Sequence, residues 1–193
     1  DRYKCICSEK NDSHSGGWLV WFAGGNGYGG TETAFVEQEI IISDPKKSAL
    51  RFWLQAYWYN SPGVIKVKID DHELFFATDA SSGFHKEWAD NKKRADNEKW
   101  VEVVLDVAPF ADGKPHNLKF EANIFEEEQQ SEDSTDFLLD DISITSFNLT
   151  DSISVLQLLA GMNTEIYIDM NNDKKTGMED VIYILQKISE IRK

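Results

Sequence analysis

No apolar run in this chain approaches the roughly 18 residues that a membrane-spanning helix needs. Positive charge is also in short supply, with 20 Lys and Arg against 34 Asp and Glu and a formal net charge of −14. Such a surface repels nucleic acid and anionic lipid and favours divalent cations, and no basic face suited to a phosphate backbone is present. Cysteine is limited to Cys5 and Cys7, one residue apart. A bridge between them would close a tight, strained ring. A bridge to another chain, a free pair and a partner in a longer chain all stay open, so cysteine use does not fix the compartment. The usual catalytic signatures are missing. His14, His72, His85 and His116 are scattered without zinc spacing, and there is no Gly-x-Ser-x-Gly elbow. The expectation is a chain that is not an enzyme.

What is present is a folded core. Hydrophobic residues make up 41% of the 193 positions, with 6 Trp, 6 Tyr and 11 Phe, which suits one domain or one domain with a small appendage. From residue 17 to 147 short alternating runs are separated by turn residues, the pattern of an all-β sandwich. Strands are expected at 17–22, 33–43, 48–59, 63–70, 72–77, 98–107, 116–124 and 136–147. Ser61-Pro62-Gly63, Asp70-Asp71 and Ala111-Asp112-Gly113 supply the turn chemistry. Segments 79–97 and 125–135 read as charged surface loops. Gly25 to Gly30 satisfies a dinucleotide-type Gly-x-Gly-x-x-Gly pattern on paper. It opens onto the β-rich stretch Thr33–Ile42 rather than a helix, so it reads as a hairpin loop. Segment 1–16 carries few core signals and reads as an N-terminal arm able to add a strand to a neighbouring subunit.

After Phe147 the hydrophobic period turns helical, over 149–161 and 178–192. The two stretches repeat at an offset of 29 residues. Leu149, Asp151, Ile153, Leu156, Gln157 and Leu159 correspond to Met178, Asp180, Ile182, Leu185, Gln186 and Ile188. Repeated helices of this kind are expected to pack on one another through their apolar faces.

Between them, residues 169–180 place Asp169, Asn171, Asp173 and Asp180 at positions one, three, five and twelve of a loop. Calcium takes six to eight oxygens at about 2.3–2.6 Å, and this is the spacing with which a loop wraps it. Lys175 would add its backbone carbonyl, and Asp180 would close the shell from the first turn of the second helix. The sixth position, where a sharp turn favours Gly, holds Lys174. On these residues 149–193 resembles a dockerin-type calcium repeat. Its second unit matches over 169–191, while its first keeps the helix and Asp151 but has Ile142 and Ile144 where loop oxygens would stand. With one metal loop instead of two, the resemblance implies an internal structural clasp rather than cohesin binding.

The β region has its own resemblance. Trp21-Phe22-Ala23-Gly24-Gly25, Val36-Glu37-Gln38-Glu39-Ile40, Leu50-Arg51-Phe52-Trp53-Leu54, Val67-Lys68-Ile69-Asp70, Asn117-Leu118-Lys119-Phe120 and Phe137-Leu138-Leu139-Asp140-Asp141-Ile142 are similar to secreted bacterial jelly-roll modules. Carbohydrate-binding modules and MAM-like adhesion domains share that build. Asp140 shares its parity with Leu138, Ile142 and Ile144, so its carboxylate is expected on the apolar side, where it needs a metal or a polar partner. It is a second calcium candidate. On 48–59, Leu50, Phe52, Leu54 and Ala56 alternate with Arg51, Trp53, Gln55, Tyr57 and Tyr59. Trp53, Tyr57 and Tyr59 form a possible ligand row for sugar stacking or a protein partner, unless other parts of the chain cover it.

The expected architecture is mainly β: an arm at 1–16, an antiparallel jelly-roll sandwich at 17–147, and a pair of short helices around a calcium loop at 148–193. The expected function is a non-catalytic, calcium-stabilised module, secreted or at the cell surface, for adhesion or extracellular assembly. The alternative is a carbohydrate-binding module of a glycoside-active enzyme. Partners would be protein, a second copy included, or glycan, with no nucleic acid and no membrane insertion.

Overall fold

In the computed structural model the described residues are 6–7, 13–23, 30–44, 46, 48–57, 63–78, 100–126, 136–162, 165–171 and 173–189. Among them are ten strands: β1 (Ile6–Cys7), β2 (Leu19–Ala23), β3 (Gly30–Ile41), β4 (Ala49–Tyr57), β5 (Gly63–Ile69), β6 (His72–Thr78), β7 (Val101–Asp106), β8 (Pro115–Glu126), β9 (Asp136–Thr145) and β10 (Ile166–Asp169). Two helices follow β9, α1 (Leu149–Leu159) and α2 (Met178–Ile188), with β10 between them. The result is a mainly-β sandwich of mixed pairing with a C-terminal pair of short helices. One sheet has the order β1-β2-β9-β4-β7-β10 and the other β3-β8-β5-β6.

The expected strands are all present within a few residues of their predicted limits. Two further strands depart from the expectation. β1 lies in the N-terminal arm and pairs antiparallel with β2 of the same chain, so its described part adds a strand internally. β10 runs parallel to β7, so the expected purely antiparallel sandwich is corrected to a mixed one. A parallel neighbour requires a long crossover, and the connection carrying α1 supplies it. Cys5, the glycine-rich segment 24–29, Tyr59, Ser61-Pro62, segment 79–97 and most of 125–135 lie outside the described residues.

The chain divides into two compact units: 1–38, 54–100 and 117–140 form the first, and 39–53, 101–116 and 141–193 the second. In the first unit β5 alternates strictly. Ile65, Val67 and Ile69 are buried, and Val64, Lys66 and Lys68 point the other way. Its neighbours add Phe75, Ala77, Leu118, Phe120, Ala122 and Ile124 to the same core. Each large side chain taken from water contributes about 1.5–3 kcal/mol. The Asp70-Asp71 turn joins β5 to β6. Asp70 has φ 52°, donates its N–H to the Asn117 carbonyl at 2.9 Å, and accepts the Asn117 N–H on Oδ1 at 2.9 Å. This fixes the hairpin to the start of β8.

In the second unit Ala49, Val104, Val155, Ile168, Met170, Val181 and Ile184 form one buried cluster that joins β4, β7 and β10 to both helices. Helix α1 begins with a capping box: Asn148 Oδ1 accepts from the Thr150 N–H, and Asp151 Oδ2 from the Asn148 N–H. It ends at Gly161, whose φ of 74° lets the Met162 N–H reach the Gln157 carbonyl and its own N–H reach that of Leu158.

The two helices pack on one another as expected and share the buried cluster through Val155, Val181 and Ile184, but the repeated apolar positions are not what they bury. The helices bury Asp151, Ser152 and Val155, and Asp180, Val181 and Ile184. Leu149, Ile153, Leu156, Leu159, Met178, Ile182, Leu185 and Ile188 are exposed. The carboxylate at the third position of each helix sets this rotation. It turns inward to accept hydrogen bonds, which carries the apolar stripe outward.

Asp151 also meets a guanidinium. Arg51 Nη2 donates to Asp151 Oδ2 at 2.6 Å, Nη1 to Glu102 Oε1 at 3.1 Å, and Nε to Thr145 Oγ1 at 2.8 Å. Only 13% of the Arg51 side chain and 4% of that of Asp151 are exposed. Removing one partner of such a pair leaves a buried charge unmatched. Arg51→Ala is therefore expected to lower unfolding free energy by about 3–5 kcal/mol in urea denaturation. A loss below about 1 kcal/mol would mean that the pair behaves as a solvated surface contact.

Candidate functional site

The acidic loop leaves β10 at Asp169 and enters α2, whose third residue is Asp180. Its conformation is fixed by side-chain oxygens taking backbone N–H groups. Asp169 Oδ1 accepts from Asp173 at 3.2 Å and Oδ2 from Lys174 at 2.8 Å. Asn171 Oδ1 accepts from the Asp173 N–H at 3.0 Å, and Asp173 Oδ1 from that of Lys175 at 3.0 Å. Asp180 spans the loop: Oδ1 accepts from Met170 and Oδ2 from Gly177, both at 2.7 Å. Lys174 has φ 66°, the left-handed conformation that its place in the loop calls for.

Three of the acids therefore crowd together. Burial pushes the Asp180 carboxyl above the usual carboxylate range; the two N–H bonds oppose the rise, and the charges of Asp169 and Asp173 add to it. Burial and the same three carboxylates raise the Tyr167 phenol, whose hydroxyl lies 3.4 Å from Asp169 Oδ2. Among the described residues no three His, Cys, Asp or Glu side chains converge as a metal cage. The loop oxygens take backbone N–H groups, and Asp173 Oδ2 also accepts from Asn171 Nδ2 at 3.1 Å. Lys175 is exposed, and its own N–H is the donor to Asp173.

Asp140 is buried, and its Oδ2 accepts the Ser15 N–H at 3.1 Å. The alternation expected around it does not continue. Asp141 has φ 52°, which breaks the strand's parity and leaves Ile142 exposed. On β4, Leu50, Phe52 and Leu54 are fully buried, while Trp53 is half-buried and Gln55 buried. The side chains of Tyr57 and Tyr59 lie outside the described residues.

A second arrangement lies on the sheet β3-β8-β5-β6, on the face opposite its core. Register places Lys66 beside Glu121 and Phe76, and Lys68 beside Lys119 and Glu73. Glu121 accepts from Lys68 at 3.3 Å and Lys119 at 3.0 Å, and Lys66 pairs with Glu73 at 3.2 Å. Toward β3, Thr33 donates to Asn123 Oδ1 at 2.7 Å and Asn117 donates to Glu37 at 3.1 Å. Phe35 is 50% exposed, with the Lys119 ammonium 4.1 Å from its ring centre. The alternation of 66–68 and 119–123 in the sequence carried this face, but cross-strand register was needed to assemble it.

No family model and no curated protein matches the chain. Solved structures similar to it include two carbohydrate-binding modules. One is TmCBM61 in complex with beta-1,4-galactotriose, 12% identical, with 75% of this chain and 84% of that chain covered and a TM-score of 0.40. The other comes from work on the promiscuous specificity of carbohydrate-binding modules from the beta-sandwich super family. It is 7% identical, with 72% of this chain and 51% of that chain covered and a TM-score of 0.38.

The lysines around Glu121 give a pH dependence with a definite sign. The Lys119 ammonium, and after it Lys68, hold the Glu121 carboxyl below its usual value. A depressed carboxylate contributes stability above its unfolded pKa of about 4.3 and loses it as pH falls through the folded value. Glu121→Gln is thus expected to cost about 0.5–1 kcal/mol at pH 7, and in thermal melts the gap to wild type should narrow as pH falls below the unfolded value of about 4.3 and close below the depressed folded one. A gap independent of pH would assign the loss to packing.

Proposed function

We propose that this chain is a non-catalytic carbohydrate-binding module of extracellular type, with a calcium ion clasping its C-terminal loop. The observation that supports glycan as the ligand is the outward face of β3-β8-β5-β6. Sugars are held by fixed polar groups around an apolar contact, and binding is strongest where those groups are ordered in advance. Lys66, Lys68, Lys119, Glu121, Asn123 and Thr33 are cross-linked by ion pairs and hydrogen bonds on a rigid sheet, with Phe35 exposed beside them. The row of Trp53, Tyr57 and Tyr59 is the competing location.

Asp169, Asn171, Asp173 and Asp180, with the Lys175 carbonyl, fit calcium by donor type and spacing, and Asp140 is a second candidate. The ion would supply positive charge against the carboxylates. The preceding repeat supports this reading, because its carboxylate at the matching place, Asp151, is neutralised by Arg51.

A glycan array followed by calorimetric titration tests the ligand. Phe35→Ala is expected to weaken binding about tenfold or more, near 1.4 kcal/mol. Loss through Trp53→Ala alone would move the site to β4, and a chain that retains no glycan would sink the reading. Calcium is tested separately by thermal melts. An ion bound to the folded state alone at 100 times its Kd adds about 2.7 kcal/mol, so the Tm should rise by about 5–11 °C over chelator. Asp173→Ala should reduce that rise. A Tm indifferent to calcium removes the clasp and leaves the glycan question standing.

A further inference from the structure

We infer that the glycan on the outer face of β3-β8-β5-β6 is an uncharged oligosaccharide of about four units, lying lengthwise in the seam between β3 and β8. The inference rests on the glycan reading of this face and adds the ligand's class, length and direction. The half of the face over β5 and β6 is closed by its own ion pairs. Lys66 and Glu73 meet at 3.2 Å, and both carboxylate oxygens of Glu121 are taken, Oε1 by Lys68 at 3.3 Å and Oε2 by Lys119 at 3.0 Å. These side chains are 17–33% exposed. A sugar crossing the strands toward Phe76 would have to part these pairs and leave a half-buried charge unmatched. An anionic sugar would compete with Glu73 and Glu121 for the same ammonium groups, against a net charge of −14.

The seam keeps hydrogen-bonding capacity that the other half has spent. Thr33 donates to Asn123 Oδ1 at 2.7 Å, which leaves the two N–H groups of the Asn123 amide as donors. Asn117 Nδ2 donates to Glu37 Oε2 at 3.1 Å, which leaves Asn117 Oδ1 as an acceptor. Among the described residues nothing else takes these groups. Donors at one end and an acceptor at the other suit hydroxyl groups, which both donate and accept. Glu37 at the acceptor end also opposes a negatively charged ligand. Phe35 stands between the two ends, 50% exposed, with the Lys119 ammonium 4.1 Å from its ring centre. It offers an apolar surface for the C–H face of a pyranose. From Asn117 to Asn123 the seam runs about 20 Å along β8 at ~3.4 Å per residue, the length of about four pyranose units. The acceptor end is ordered in advance, because Asp70 Oδ1 holds the Asn117 N–H at 2.9 Å.

Calorimetric titration of the full chain with uncharged cello-, xylo-, manno- and galacto-oligosaccharides, disaccharide to hexasaccharide, tests this. In a series that binds, affinity should rise about tenfold or more up to about the tetrasaccharide and then level off. Asn117→Ala and Asn123→Ala should each weaken the tetrasaccharide about three- to tenfold, and the disaccharide by less than about twofold. Asn123→Asp keeps the acceptor for Thr33 and removes only the donors, so it should act like Asn123→Ala if that variant fails to fold. Phe76→Leu should leave every affinity within about twofold. Affinity that does not change with length overturns the lengthwise seat and leaves the glycan reading standing. So does a loss through Phe76→Leu that the asparagine variants do not share. Tighter binding of an oligogalacturonate of equal length overturns the uncharged class. A chain that holds no oligomer of any series overturns the glycan reading and this inference with it.

Discussion

A carboxylate buried at the third position of a helix must be matched, because an uncompensated charge away from water costs far more than a single packing contact contributes. The C-terminal unit meets this requirement at both helices. Asp151 takes the Asn148 N–H and the Arg51 guanidinium, while Asp180 takes the N–H groups of Met170 and Gly177. Each arrangement reaches outside its own helix. Arg51 brings β4, together with Glu102 of β7 and Thr145 of β9, to α1. Asp180 brings the end of β10 to α2. The strand order β9-β4-β7-β10 is therefore held at its helix-facing end by two polar anchors as well as by the cluster around Val104 and Ile184.

These anchors also dictate which way each helix faces. A helix free to rotate would bury its most apolar stripe. With the aspartates turned in, Val155, Val181 and Ile184 fill the core and the leucine and isoleucine positions are left outside. The hydrophobic stabilisation forgone is offset by the satisfied carboxylates and their caps. The first unit follows a simpler rule. In β5 and β8 alternation alone separates an apolar side from a polar one, and no buried acid interferes.

That difference decides how much could be read from the sequence. Strands such as 63–70 and 116–124 were legible because each residue's side of the sheet follows from its parity, and the Asp70-Asp71 turn carries its own chemistry. The unfavourable turn at Lys174 was legible for the same local reason. β10 was not, because Ile166-Tyr167-Ile168-Asp169 is short and its partner in β7 is distant in the chain. The outward rotation of the helices was hidden because amphipathic spacing locates a stripe without saying which side is wet. Asp141 shows the limit of parity itself: one residue at φ 52° reverses the alternation beyond it. The polar face around Glu121 needed register, which no single strand contains.

β3 adds one consequence for the chain in a crowded solution. Among the described strands it is a twelve-residue strand at the border of its sheet, paired with β8, and among its residues whose side chains are described none is fully buried. A long open border of backbone N–H and C=O groups is a template for fibril growth. Glu37 and Glu39 stand exposed along it, and Ile41 lies just beyond them. The two glutamates act as gatekeepers: an incoming identical strand must set its own acids against them.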